Sequence, residues 1–230
     1  MGPRRTGIVG AAGFPYRRRM NAPLRSLAGL LFTTALLAAA PRADLTLPAP
    51  HKTGGMPLME ALSHRATSRA FATTELSTQQ LSDLLWAAYG VNRPDGKRTA
   101  PSAKNRQETD VYVLLKTGAY RYDPSAHRLS LVLDEDIRAL GGIQSFVAAA
   151  PVTLVLVADF ARTGGSGPGQ REYAAMDAGF ISQNVYLYCA SERLATGARA
   201  YVDKAALGAK LGLRPDQTIL LAQSVGYPDA

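Results

Sequence analysis

Pro101-Ser102-Ala103-Lys104-Asn105-Arg106-Gln107 and, upstream, Arg65-Ala66-Thr67-Ser68-Arg69-Ala70-Phe71 are the stretches on which the reading of this chain turns. In the upstream stretch Arg65 and Arg69 bracket the hydroxyl of Thr67. Each planar guanidinium can make two charge-assisted hydrogen bonds, so two of them around a hydroxyl suit a dianionic phosphate. Phe71 is the apolar anchor of that stretch. In the downstream one, Pro101 fixes the chain and Ser102 and Ala103 keep it thin, so that Asn105 and Gln107 present amide donors and acceptors to the edge of a flat polar ring. Either stretch alone is more often solvated surface than a site, because short motifs match by chance.

The elements around them follow from periodicity. Pro57–His64 reads as a first helix; Ser77 caps a second, whose Leu81, Leu84, Leu85 and Ala88 recur at helical spacing until Gly90 ends it. Residues 110–116 form a strand, Thr117-Gly118 a turn, Ala119–Tyr122 its partner and Arg128–Leu133 a further strand. Asp134, Glu135 and Asp136 precede a short helical run through Leu140, where three acids complement a helix dipole. Pro151–Val157 is a continuous β-branched run, expected to be central and covered on both faces. Gly164–Gly169 reads as a flexible loop without the Lys-Ser/Thr of a phosphate loop. Arg171 to about Glu192 reads as one long helix, and Thr218–Val225 as the last strand. The small residues Ala174, Ala175, Ala178, Gly179 and Ser182 on the long helix let another helix approach closely.

Six pieces occur in an order that resembles the nitroreductase family of flavoproteins, and within it the branch that includes the azoline-oxidase-type (SagB-like) dehydrogenases. They are Arg65-x-Thr67-x-Arg69-x-Phe71, Leu81–Gly90 (LSDLLWAAYG), Asn92–Gly96 (NRPDG), Arg98–Asn105 (RTAPSAKN), Gln183-Asn184 and Gly226-Tyr227-Pro228. The resemblance covers about Pro57 to Pro228. It implies an α+β, three-layer fold with an antiparallel-rich central sheet flanked by helices, and a homodimer whose core is the long helix and whose interface builds two FMN sites. On that basis Arg65, Ala66, Thr67 and Arg69 hold the phosphate; Pro101, Ser102, Ala103, Asn105 and Gln107 meet the ring and ribityl chain. Gly197 and Ala198 lie in a loop beside flavin N5, where a glycine allows close approach. The implied activity is hydride transfer through FMN from NADH or NADPH to a nitroaromatic, quinone or similar acceptor, with no essential protein acid or base. Family members that oxidise azolines use a Lys-Tyr pair near this loop. Arg199 and Tyr201 stand there without it, which weakens the alternative of a dehydrogenase acting on a peptide-derived substrate. A non-enzymatic flavin carrier is the alternative from another class.

The formal charge of +8 suggests nucleic acid until its position is considered. Residues 1–43 hold seven arginines and no Lys, Asp or Glu, so Asp44–Ala230 keeps 19 of the 26 basic side chains against all 18 acids. The body of the chain is nearly neutral, and nucleic acid is excluded as a partner. The arginines precede Leu27–Ala40 (LAGLLFTTALLAAA), an apolar run of 14 residues where crossing a bilayer takes about 20. Residues 1–43 therefore read as an export signal with Met1 or Met20 as start, which predicts a periplasmic protein touching membrane only through that segment. Arg17-Arg18 hints at the twin-arginine route. Residues 44–55 read as a tether or arm before a domain spanning 56–230.

Other chemistries find little support. His51, His64 and His127 lack ligand spacing for a metal, and no Gly-x-Ser-x-Gly elbow exists for a hydrolase. The single Cys189 lies in an apolar helical run and reads as a core residue. Tyr173, Phe180, Tyr186 and Tyr188 read as core or interface rather than as a substrate platform.

Overall fold

The computed structural model describes residues 43–229. Except for Ala43, the expected export segment lies outside them. The elements run β1 (Leu45–Thr46), α1 (Leu58–His64), α2 (Thr78–Tyr89), β2 (Thr109–Leu115), β3 (Gly118–Asp123), β4 (Arg128–Leu133), β5 (Val152–Asp159), α3 (Pro168–Ser191), β6 (Ala195–Arg199), α4 (Lys204–Lys210) and β7 (Gln217–Gly226). The strands form one sheet in the order β1-β4-β3-β2-β5-β7-β6, and every pairing is antiparallel.

Side-chain alternation explains the layers. On β5, Val152, Leu154 and Leu156 join a core made with Leu81, Leu84 and Leu85 of α2 and Ile181 and Val185 of α3. Val155 and Val157 point the other way, into a second core with Ile137, Leu207 and Leu211. Every residue of β5 is buried, so the strand reads as an unbroken apolar run. Helices α2 and α3 thus cover one face, with α1 packed against α3, and α4 with short 3-10 turns covers the other, giving three layers.

Local chemistry sets the helix ends. Ser77 Oγ accepts the Gln80 amide while Gln80 Oε1 accepts the Ser77 amide, both at 3.1 Å, and Gly90 terminates α2. Helix α3 begins earlier than expected: Pro168 and Gly169 of the supposed loop form its first turn, where a proline's missing N–H costs nothing. The acids before Leu140 combine the expected role at the start of the turn with ion pairing: Asp136 accepts the Arg138 amide at 3.2 Å and also forks onto the Arg138 guanidinium at 2.9 and 2.8 Å, and Glu135 reaches Lys210 at 2.6 Å.

Residues 44–55 lie against the domain as an arm. Leu45 pairs with Leu129 of β4, Ser82 Oγ donates to Pro48 O at 2.6 Å, and the His51 amide donates to Asp83 at 2.7 Å. Because Ser82 gives its proton to Pro48, His127 Nε2, 2.7 Å away, must donate to Ser82, and His127 Nδ1 accepts from Tyr122 at 2.9 Å. That neutral tautomer agrees with burial, which lowers the imidazole below its ordinary value.

Candidate functional site

Residues 65–70 run extended between α1 and the buried ring of Phe71, which lies 6.0 Å from Phe146. Backbone bonds seat the segment against two strand ends: Ser68 N–H donates to Thr196 O at 2.8 Å and Ala72 N–H to Tyr227 O at 3.0 Å. Its site-facing groups gather around one phenol of α3. Arg65 lies 5.4 Å over the Tyr186 ring, Thr67 Oγ1 is 3.0 Å from Tyr186 Oη, and Ala198 N–H donates to the same oxygen at 2.9 Å. Among the described residues neither Arg65 nor Arg69 pairs with a carboxylate. Two guanidinium groups without a counter-charge beside a hydroxyl fit a phosphate dianion.

Residues 195–199, expected as a loop, are the edge strand β6, because every residue pairs with β7. Gly197 is needed here for the chain's own backbone: an added Cβ would stand 2.5 Å from Ser68 O. The amide of Ala198, expected to face N5, is engaged by Tyr186. Arg199 turns inward, donating from Nε to Gly141 O at 2.8 Å and from Nη1 to Gly197 O at 3.2 Å, and burial lowers it to about 10. Tyr201 is exposed.

The Pro101–Gln107 stretch forms a tight loop around a 3-10 turn, Ala103–Asn105. Lys104, Asn105 and Gln107 all have left-handed φ values, 55°, 53° and 49°, which residues with a Cβ seldom adopt. Ser102 Oγ accepts the Gln107 amide at 2.9 Å, and Gln107 Nε2 reaches Gly96 O and Asn105 Oδ1 at 3.1 and 3.2 Å. Gln107 therefore spends its side-chain amide on Asn105 of the loop and on the preceding turn at Gly96. Ser102 and Ala103 are half-buried and Asn105 is exposed, its Nδ2 without a partner among the described residues. Ala103 N–H donates to Asp177 of α3 at 2.8 Å.

Helix α3 is the ruler between the two stretches. Asp177 and Tyr186 are nine residues apart, hence about 13.5 Å along the axis and about 180° around it. Around the helix, between those two directions, the outward face carries Tyr173, Met176 and Phe180, about half exposed, and α1 adds exposed Leu58, Met59 and Leu62. In one copy the phosphate-type and ring-type groups flank an uncovered apolar stripe and do not meet.

A family model described as "Nitroreductase family" matches residues 62–227. The chain belongs to the nitroreductase family. It is an oxidoreductase of that family by the same match and by its relatives. A Methanocaldococcus jannaschii protein bearing the nitroreductase name is 34% identical over 150 residues, 60% of this chain and 76% of the relative. A nitroreductase-named protein of Ralstonia eutropha, known from a crystal structure, is 42% identical with a TM-score of 0.78, over 82% of this chain and 91% of that one. The NADPH:FMN oxidoreductase of Vibrio harveyi, solved with NAD+, shares the fold at a TM-score of 0.58 and 18% identity, over 75% and 69% of the two chains.

Reading the nitroreductase-family sequence alone missed Asp177, Glu108 and the organising role of Tyr186. Asp177 had a signal, a lone acid on an otherwise small and apolar helix face. Glu108 is 1% exposed, and burial, reinforced by Asp177, pushes its carboxyl up to about 6. Cys189 is fully buried, and burial pushes its thiol up, as suits a core residue.

Proposed function

We propose that this protein is an FMN-dependent oxidoreductase that takes hydride from a reduced nicotinamide and passes it to a nitroaromatic, quinone or similar acceptor, in sites assembled from two copies of the chain. The observation that carries the reading is the pair of guanidinium groups at Arg65 and Arg69 that meet no carboxylate among the described residues, Arg65 lying over Tyr186 on the side of α3 away from the Ser102–Asn105 loop. FMN, when bound, supplies the hydride chemistry at N5. The chain's own residues position and exclude. Arg65, Thr67 and Arg69 bind the phosphate, with Tyr186 fixing Thr67 and the adjacent strand β6. Ser102, Ala103 and Asn105 contact the ring from the partner copy, held by the short bonds within their loop.

The two-copy arrangement is supported by the stripe of Tyr173, Met176 and Phe180. Covering it with the same stripe of a second copy removes exposed apolar area and brings each phosphate segment towards the other copy's loop, which one copy cannot do by itself. The basic and apolar make-up of residues 1–43 supports a periplasmic location. A nicotinamide donor there has to be supplied on that side of the membrane.

The test is an anaerobic titration of the FMN-loaded protein with NADH and NADPH, followed by flavin absorbance. Bleaching of the flavin band supports the reductase reading. A bound flavin that stays oxidised with both refutes a nicotinamide donor, and failure to retain FMN refutes the cofactor reading.

A further inference from the structure

Beneath the Ser102–Gln107 loop lie two carboxyl groups that the proposed chemistry leaves unused. Asp177 is 3% exposed and Glu108 is 1% exposed. Asp177 Oδ2 accepts the Ala103 amide, and the Asp177 carboxyl stands within hydrogen-bonding reach of Glu108, whose Oε2 has no partner among the described residues. Two carboxylates so close and out of water repel each other, whereas one proton between them makes a hydrogen bond.

Burial and the second carboxyl outweigh the one cation that favours a charged Glu108, the guanidinium of Arg106. Arg106, in the loop, directs Nη1 to Thr163 O, and Arg98 stacks 4.2 Å over the ring of Tyr89, the remaining titratable group facing the pair. A cavity of about 160 Å³, lined by Glu108, Ala103, Lys104 and Arg106, gives the proton a way in and out. Above it, three residues with a Cβ hold left-handed φ values, a shape that persists only where the surroundings impose it.

We infer that Glu108 and Asp177 share one proton and that this pair, through the Asp177–Ala103 bond, holds the Ser102–Gln107 loop in its ring-binding shape. Both are positioning residues, and the inference rests on the reading of that loop as the ring contact. Loss of the proton sets the two charges against each other, draws Asp177 off Ala103 and lowers the fraction of loops competent to bind.

The test is the FMN dissociation constant, from quenching of flavin fluorescence, between about pH 5 and pH 7.5 for the wild type, Glu108→Gln, Asp177→Asn and Asp177→Ala. Comparing proteins at each pH cancels the titration of the FMN phosphate itself, which loses its second proton near pH 6. Glu108→Gln keeps a permanent donor towards Asp177 without changing size. The ratio of wild-type to Glu108→Gln dissociation constants should lie near one at the acid end and rise about tenfold by the alkaline end. Asp177→Asn should stay close to wild type at acid pH, and Asp177→Ala should bind weakly throughout. A ratio that stays constant while Glu108→Gln keeps a wild-type near-ultraviolet circular dichroism spectrum overturns the inference. FMN that fails to bind the wild type at every pH overturns the cofactor reading as well, so the two failures are distinguishable.

Discussion

Gly197→Ala is the sharpest structural perturbation available, because the reason for this glycine can be calculated. A Cβ at position 197 would stand 2.5 Å from Ser68 O and 3.5 Å from Thr67 Cγ2. Carbon approaches a carbonyl oxygen comfortably at about 3.3 Å, so relief requires a shift of about 0.8 Å. What must shift is backbone, and Ser68 N–H is tied at the same place to Thr196 O at 2.8 Å. Overpacking of this kind costs about 1–3 kcal/mol, and weakening the hydrogen bond adds about 1 kcal/mol. For a domain of this size each kcal/mol lowers the melting temperature by about 2–4 °C, which gives a fall of roughly 4–16 °C for the FMN-free protein. Thr67 and Arg69 flank Ser68, so FMN should also bind about tenfold more weakly, equivalent to about 1.4 kcal/mol. Thermal unfolding of the FMN-free protein and a fluorescence titration read the two effects separately. An unchanged melting temperature with lost affinity would refute the reasoning, since the glycine would then serve the ligand and not the Ser68 contact.

Arg69→Ala should weaken FMN binding by about 2 kcal/mol, roughly 30-fold, as a charge-assisted bond is lost; an unchanged titration removes Arg69 from the phosphate site. Burial lowers the His127 imidazole, so its contribution to stability is complete above the ordinary imidazole value of about 6.5 and is lost as pH falls below it. Urea midpoints at acid and neutral pH should therefore converge in His127→Asn relative to wild type. Glu108 works in the opposite sense. Its folded value of about 6 exceeds the ordinary 4.5, so its stabilising effect is present below 4.5 and is lost as pH rises through 6. Glu108→Gln should accordingly raise stability at neutral pH by up to about 2 kcal/mol, read from urea unfolding. Phe180→Glu puts a charge on the outward stripe of α3 and should give a folded monomer by analytical ultracentrifugation that no longer binds FMN.

Much of the fold was legible because its signals are local. The capping box at Ser77, the alternation along residues 110–133 and the unbroken apolar run of β5 each specify an element without reference to distant residues. The strand β6 was not legible, since Ala195–Arg199 contains two alanines and a glycine and owes its conformation to β7. The start of α3 hid behind a Gly-Pro-Gly signal that serves a helix N-terminus as well as a loop. At the site, the Arg65–Phe71 and Pro101–Gln107 stretches were visible as chemistry, but their separation was not. It comes from Asp177 and Tyr186 on opposite sides of one helix. The Asp177–Ala103 bond spans 74 residues and the Thr67–Tyr186 bond spans 119, distances at which no local pattern reports.

The central claim, a flavin site divided between two copies, is tested most directly by mixing two damaged proteins. One carries Arg65→Ala and Arg69→Ala, the other Ser102→Ala and Asn105→Ala, and each alone binds FMN weakly. Co-expressed and purified by two different tags, the mixed dimer contains one site with both lesions and one with neither. The account predicts one FMN per mixed dimer at wild-type affinity. A mixed dimer that binds no better than its parents would contradict it, because both halves of the site would then come from the same chain.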